Sequence, residues 1–331
     1  QHKRKAPTYP LYYLTLDGWT AELAFNEQGE LGRMVVVVVL DPCVKYPIGF
    51  AIGDRENTAL ITEALRNAMQ HIKELFGGYY QPHQIQSDRY GIKTLTPLYQ
   101  AMAHLVTPAA VGNAKAKVIE PYFKHINNTY CQLLPNWTGH NIDAVKDNQP
   151  NREFMDLIKH SYPNKAGVVK QIEYIMNKER ADKLSDYMAL WQECPRKVVL
   201  EEADLLMLFG TMRPHTARVE GHGLRLKIDG ARYTFDTFDA NFRKHMHLDW
   251  QVINIPGNTE KILALSTDGK QRFVLERKHE EAMAIIEQTP EDRLHHQRIE
   301  QFNKERHSEV IETYAQDNKL VDQVMAQIPF T

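Results

Sequence analysis

Three carboxylates in the first 130 residues stand in contexts that could do chemistry. Asp17 follows Leu14-Thr15-Leu16, Asp88 follows Ile85-Gln86-Ser87, and Glu120 closes Asn113-Ala114-Lys115-Ala116-Lys117-Val118-Ile119-Glu120. Two Asp closing strand-like stretches and a Glu on a helix suit hard divalent cations, which take oxygen ligands. Two such ions about 3.5–4 Å apart activate an attacking oxygen and stabilise a leaving one in phosphoryl transfer. Mg2+ or Mn2+, two ions per site, is the cofactor this set would take. Three acids among 42 mean little alone, since strand-end turns and solvated helix positions need no function. The neighbours of Glu120 add weight. At about 100° per residue, a helix from Asn113 to Tyr130 puts Asn113, Lys117, Glu120, Lys124 and Asn127 on one face. Ile119, Phe123, Ile126 and Tyr130 fall on another, fit to pack on a sheet. With Lys115 nearby, the polar face offers cations and amides to phosphate. Ordinary i,i+3 and i,i+4 ion pairing of Glu120 with the lysines is the plainer account, and the two are compatible. Pro121 directly follows Glu120, and a proline inside a helix costs about 3 kcal/mol. Either the helix begins near Glu120 or it bends there.

The elements that must position these residues alternate. Leu11 to Asp17, Arg33 to Asp41 with its five valines, and Pro47 to Ile52 read as strands, the second as a fully buried central one. Thr58 to Phe76 is apolar at helical spacing and ends at Gly77-Gly78. Gln84 to Asp88 is a short strand, Thr94 to His104 a helix, Leu105 to Thr107 an extended stretch, and Asn113 to Tyr130 a helix. Three strands and then helix, strand, helix, strand, helix suit a mixed α/β sheet with helices on its faces. Sites in such sheets form at the carboxyl ends of adjacent strands, where Asp17 and Asp88 would lie side by side.

From Arg152 to Phe209 the pattern is helical, clearest over Val168 to Trp191. Beyond Thr211 it changes: Leu224, Leu226 and Ile228 alternate with Arg225 and Lys227, and Asp229-Gly230 makes a hairpin turn toward Tyr233 and Phe235. Trp250 to Ile255, Ile262 to Ser266 and Arg272 to Leu275 complete a set of short strands that predicts a small β-barrel. Pro290 to Ile328 is charged and helical. The expected division is 1–205, 206–280 and 281–331.

Composition narrows the class. Of 331 residues, 43% are hydrophobic and 25% charged, ordinary for a globular chain of two or three domains. The longest apolar run, Met34 to Leu40, is too short to span a bilayer, so no membrane partner is expected. Three scattered cysteines argue for a reducing compartment rather than a disulfide framework. A net charge of −2 gives no global sign of nucleic-acid binding, so any DNA contact must come from local cations. These are Lys115, Lys117 and Lys124 near the acids, and Arg213, Arg218, Arg225 and Lys227 around the barrel. The chain starts without Met in a basic segment and is expected to be a fragment.

Leu14-Thr15-Leu16-Asp17-Gly18-Trp19-Thr20, Val36 to Asp41, Ile48 to Ile52, Gln86-Ser87-Asp88-Arg89-Tyr90-Gly91, Thr107-Pro108 and Asn113 to Glu120 together resemble the DDE transposase and retroviral integrase superfamily. The resemblance covers roughly Tyr12 to Asn128 and the order of its elements. It implies a ribonuclease-H-like fold in which Asp17, Asp88 and Glu120 bind two Mg2+ or Mn2+ ions. It also implies an enzyme that nicks DNA and joins the freed 3′-hydroxyl to target DNA, with Lys124 contacting DNA. The helical connector, Val219-Glu220-Gly221-His222-Gly223-Leu224 with the Asp229-Gly230 hairpin, and Cys131 to Asn141 look like the phage-Mu-like branch. There a barrel supplies basic surface for DNA, and C-terminal helices meet an ATPase partner or an unfoldase. The partners so implied are transposon-end and target DNA and further copies of the chain in a DNA-bound transpososome, in a bacterial or phage-encoded, cytoplasmic setting. The Asp88 to Glu120 interval is shorter than in Mu itself, and the end-recognising N-terminal domains of that branch have no counterpart in this sequence.

Rival acids are weaker. Asp41-Pro42 reads as a turn, and Asp54-Arg55-Glu56-Asn57 as a loop and helix cap. His245-Met246-His247 and His295-His296 lack the Cys partners of a zinc finger. Ser87 has no Gly-rich elbow, and no nucleotide phosphate loop is present. Two other functions remain open: a ribonuclease-H-like structure-specific nuclease, which leaves the barrel unexplained, and a non-catalytic DNA-binding assembly protein, which leaves the three acids unexplained.

Overall fold

The computed structural model describes residues 5–87, 92–108, 118–139, 152–221, 223–279 and 285–325. The chain divides into two compact units, Gln1–Glu201 and Glu202–Thr331. The first unit is mixed α/β and the second is a closed barrel with helices.

In the first unit, β1 (Leu14–Glu27), β2 (Glu30–Asp41) and β3 (Tyr46–Gly53) form an antiparallel meander. After α1 (Thr58–Phe76) come β4 (Gln84–Ser87), α2 (Ile92–Met102) and β5 (Leu105–Pro108). Both β4 and β5 run parallel to β1, giving the order β3-β2-β1-β4-β5. The unit continues with α3 (Ile119–Thr129), α4 (Arg152–Ile158) and the long α5 (Lys165–Glu193). The valine strand is interior, as its composition predicts, but β1 is the central one. Val36 to Val39 are all fully buried because helices cover both faces.

Strand alternation sorts those faces. Ala21, Leu23, Val36 and Val38 pack under α3 and α5. The other face lies under α1, tightly enough that a Cβ at Gly49 would collide with Ala64 O and Ala68. Asn57 caps α1 by accepting the Leu60 N–H at 2.8 Å, and Gly77 ends it in the left-handed region, φ 75°.

Two expectations are corrected. The first strand does not end at Asp17: it runs on to Glu27 and turns back through Gln28-Gly29, both at positive φ. Trp19, Ala21, Leu23 and Phe25 keep the strand's period of two, so the sheet gains burial by continuing. The helix bearing Glu120 starts at Ile119, not Asn113, which puts Pro121 in the first turn, where its missing N–H costs nothing.

The second unit opens with α6 (Glu202–Phe209) and a short β6 (Thr211–Met212). Then come β7 (Ala217–Glu220), β8 (Gly223–Ile228), β9 (Ala231–Asp236), α7 (Ala240–Lys244), β10 (Asp249–Asn254), β11 (Lys261–Ser266) and β12 (Arg272–Arg277). The order β11-β12-β9-β8-β7-β10, closed by pairing of β10 with β11, makes a six-stranded barrel. Asp229 at φ 49° and Gly230 at 87° form the predicted hairpin turn. Leu224, Leu226, Phe235, Trp250, Val252 and Ile262 fill the interior. Ile253 and Leu263 point outward to Ala203 and Leu206 of α6, which explains why β10 and β11 are apolar on both faces. The long α8 (Pro290–Met325) follows. Among the described residues no helix is long and apolar enough to cross a membrane.

Candidate active site

Asp17 is the fourth residue of β1, half-buried, opposite Val38 of β2, with the Gly18 N–H donating to its Oδ1 at 3.0 Å. Odd-numbered residues of this stretch face α3 and α5, so Asp17 shares its side of the sheet with Trp19, Ala21 and Leu23. The Trp19 ring stacks on Phe123 of α3 with centroids 5.6 Å apart and planes 14° apart. Glu120 is one turn before Phe123, exposed, in the first turn of α3. The stack therefore ties the start of the Glu120 helix to the stretch of β1 that bears Asp17.

Asp88 lies outside the described residues, as do Asn113, Lys115 and Lys117. What leads to Asp88 is described: Leu14 pairs with Ile85 and Thr15 with Gln86 in parallel register, and β4 ends at Ser87. Ser87 Oγ is buried without a hydrogen-bond partner among the described residues. Among the described residues no three or more His, Cys, Asp or Glu gather to hold a metal ion. Asp17 and Glu120 carry hard oxygen donors of the kind that hold divalent ions, whereas Ser87, which follows the Thr15–Gln86 pair and so falls beside Leu16, turns its side chain to the opposite face of the sheet from Asp17.

Lys124 is exposed one turn beyond Glu120 and has no hydrogen-bond or ion-pair partner among the described residues, so the plain Glu120–Lys124 salt bridge is not made. Asn127, expected on the phosphate-facing side, is used otherwise: its Oδ1 accepts the Trp137 indole N–H at 2.9 Å.

The barrel cations differ among themselves. Arg213 Nη2 donates to Lys227 O at 2.7 Å. Arg218 grips Asp249 with two nitrogens, and Arg225 is 3.8 Å from Glu220. Lys227 is exposed and stands directly opposite Arg232 across β8 and β9. Like charges so placed repel, and an anion beside them would relieve the repulsion.

Three features lie beyond the sequence reading. Glu56, taken as part of a loop, places its carboxylate over Gly18 where a Cβ would collide with it. An acid thus covers the residue after Asp17 on the α1 side, and a Cβ there would push the carboxylate aside. Asn136-Trp137-Thr138 is a clamp along β1. The Thr138 N–H donates to Glu22 O at 2.9 Å, Asn136 Nδ2 to Ala24 O at 2.8 Å, and the Trp137 indole to Glu22 Oε2 at 3.1 Å. Asp41 closes β2 as a buried anchor, accepting from the Leu11 N–H at 2.7 Å, the Tyr187 hydroxyl at 2.8 Å and the Cys43 N–H at 3.0 Å. Burial pushes its carboxyl up to about 6 against these three donors.

No family model matches the chain, and no curated protein is significantly similar to it.

Proposed function

We propose that this chain is the core of a DNA strand transferase of the DDE type, with a ribonuclease-H-like first unit and Asp17, Asp88 and Glu120 as its acids. One arrangement carries the reading: Asp17 lies on the central strand, on the face covered by the helix whose first turn holds Glu120, and Trp19 on Phe123 ties the two. Asp88 stands two residues past Gln86, as Asp17 stands two past Thr15, its register partner. The order β3-β2-β1-β4-β5, a meander followed by two parallel strands, supports the ribonuclease-H-like assignment. The barrel after the helical connector favours the phage-Mu-like branch over a simple nuclease.

The three acids would hold two Mg2+ or Mn2+ ions, which when bound neutralise charge on the phosphorus oxygens and activate the attacking oxygen. Asp17, held in a strand paired on both edges, offers its oxygens from a rigid support. Lys124, exposed, without a partner among the described residues and on the same helix as Glu120, receives a phosphate of the DNA backbone. Transposon-end and target DNA are the substrates, and the working form is an oligomer assembled on DNA. The C-terminal helix α8 is the contact for an ATPase or unfoldase partner.

The test is a joining assay with a labelled duplex bearing a free 3′-hydroxyl, a plasmid target, and Mg2+ or Mn2+. Joined product that disappears in Asp88→Asn supports the reading. Hydrolysis without joining would make the chain a nuclease, and wild-type joining by the Asp88→Asn protein would remove the acids from the mechanism.

A further inference from the structure

A cleft of about 1190 Å3 opens in the second unit between the ends of β9 and β12, α7 and the first part of α8. Its walls combine aromatic rings with cations. Phe238 is 38% exposed and meets Phe302 edge-on, with centroids 5.6 Å apart. The Arg298 guanidinium lies 5.9 Å from the Phe238 centroid.

Charge in the cleft is largely committed. Asp236 is paired with Arg243 at 2.7 Å, and Asp239 caps α7 by accepting the Asn241 and Phe242 N–H groups. Glu276 is 3.1 Å from Lys261, Arg277 is 3.0 Å from Glu260, and Arg306 is 3.4 Å from Glu309. Among the described residues the side chains of Lys278 and Arg298 have no acidic partner, against one uncommitted acid, Glu291.

This balance selects a class of ligand. A metal ion would need uncommitted acids, and an apolar peptide would need walls without charge. A duplex hides the faces of its bases. A single strand offers both features the cleft lacks: bases that stack on aromatic rings, and phosphates that take Lys and Arg. The volume exceeds that of most small-molecule sites, about 300–1,000 Å3, and leaves room for more than one nucleotide. We infer that this cleft binds single-stranded nucleic acid, a base resting against Phe238 and Phe302 while an adjoining phosphate meets Lys278 and Arg298.

Fluorescence anisotropy of the full chain with a labelled oligo-dT of roughly ten nucleotides, within the range of single-strand site sizes, tests the inference. Lys278 and Arg298 are both exposed, so Lys278→Glu/Arg298→Glu should fold normally, as its melting temperature will report. It should bind oligo-dT roughly tenfold more weakly and a blunt duplex almost unchanged. Phe238→Ala should lose about fivefold or more, the worth of one stacked base. Glu291→Gln should tighten binding, because it removes a charge that repels phosphate. Unchanged oligo-dT affinity in the charge-reversal protein would overturn the site. So would competition by inorganic polyphosphate as strong as that by oligo-dT, since it would show that the rings contribute nothing. Asp17→Asn should bind oligo-dT like wild type, so failure of the cleft and failure of the strand-transferase reading are told apart.

Discussion

The first unit treats its carboxylates in two ways. Asp41 and Glu179 are buried and saturated: Asp41 takes three donors, and Glu179 takes the Tyr130 hydroxyl at 2.8 Å, His125 Nε2 at 3.1 Å and Lys183 Nζ. Asp17 stands half-buried on β1, and Glu120 stands exposed in the first turn of α3. A buried carboxylate holds the fold only if its lone pairs are filled, whereas one that works on a ligand must keep oxygens within reach of it. Exposure therefore separates anchors from candidate reagents more sharply than residue type does.

The largest expected effect tests the reagent side. Asp17→Asn keeps the shape and loses the charge, so strand transfer should fall by roughly a thousandfold or more. Thermal stability should hardly change, because Asp17 is only half-buried where Asp41 is fully buried, and the amide keeps its shape. A melting temperature that collapses with the activity would move Asp17 into the anchor class and break the comparison.

Glu179→Ala tests the anchor side and should show the reverse pattern. Removing one partner of a buried ion pair strands the other groups. Lys183 can still reach solvent, with 21% of its side chain exposed, so a loss of about 2–3 kcal/mol by urea denaturation is expected. The pair also predicts opposite responses to pH. Desolvation pushes the Glu179 carboxyl up, but the hydrogen bonds from Lys183 and Tyr130 and the Lys183 charge outweigh it and hold it below the ordinary range. Its contribution is thus present above the unfolded pKa and lost as pH falls through the folded one.

Asp41 runs the other way. Burial raises its folded pKa to about 6, above the ordinary aspartate range, so its stabilising contribution is complete below about pH 4 and lost as pH rises through 6. Two pH units correspond to something on the order of 2–3 kcal/mol. Denaturant titrations at pH 4, 5, 6 and 7 should therefore show, in wild type relative to Asp41→Asn, stability falling across this interval. A flat difference between the two proteins would mean that Asp41 is charged throughout and its burial fully compensated.

Much of this arrangement was legible in the sequence where the determining signal is local. The five valines, the α1 repeat ended by Gly77 and the Asp229-Gly230 turn specify their elements within a few residues. What was hidden depends on residues far apart. Gly18 and the polar Glu22 interrupt β1, although Trp19, Ala21, Leu23 and Phe25 keep its period of two. The Asn136-Trp137-Thr138 clamp looks like a loop until β1 is beside it. Barrel closure by β10 on β11 and β7 pairs strands that turn signals cannot register. At the site, a strand bearing Asp17 and a helix bearing Glu120 were readable, although not where either ends or begins. The stack of Trp19 on Phe123 and the cover of Glu56 over Gly18 were not, because each joins residues more than 35 positions apart.

Lys124→Ala carries the smallest expected effect and draws the line between the two classes most finely. Lys124 is exposed and has no ion-pair or hydrogen-bond partner among the described residues. Surface charges contribute about 0–1 kcal/mol even when paired, and alanine is a good helix former, so the melting temperature should stay put or rise slightly. DNA engagement should respond instead. Losing one phosphate contact should weaken binding of a duplex 3′-end about equally for any sequence and lower the slope of log affinity against log salt by about 1. Titrations at two salt concentrations with wild type and Lys124→Ala measure both quantities. An unchanged slope together with a lowered melting temperature would place Lys124 with Lys183 among the residues that hold the fold, and the phosphate would have to be met elsewhere on the sheet face.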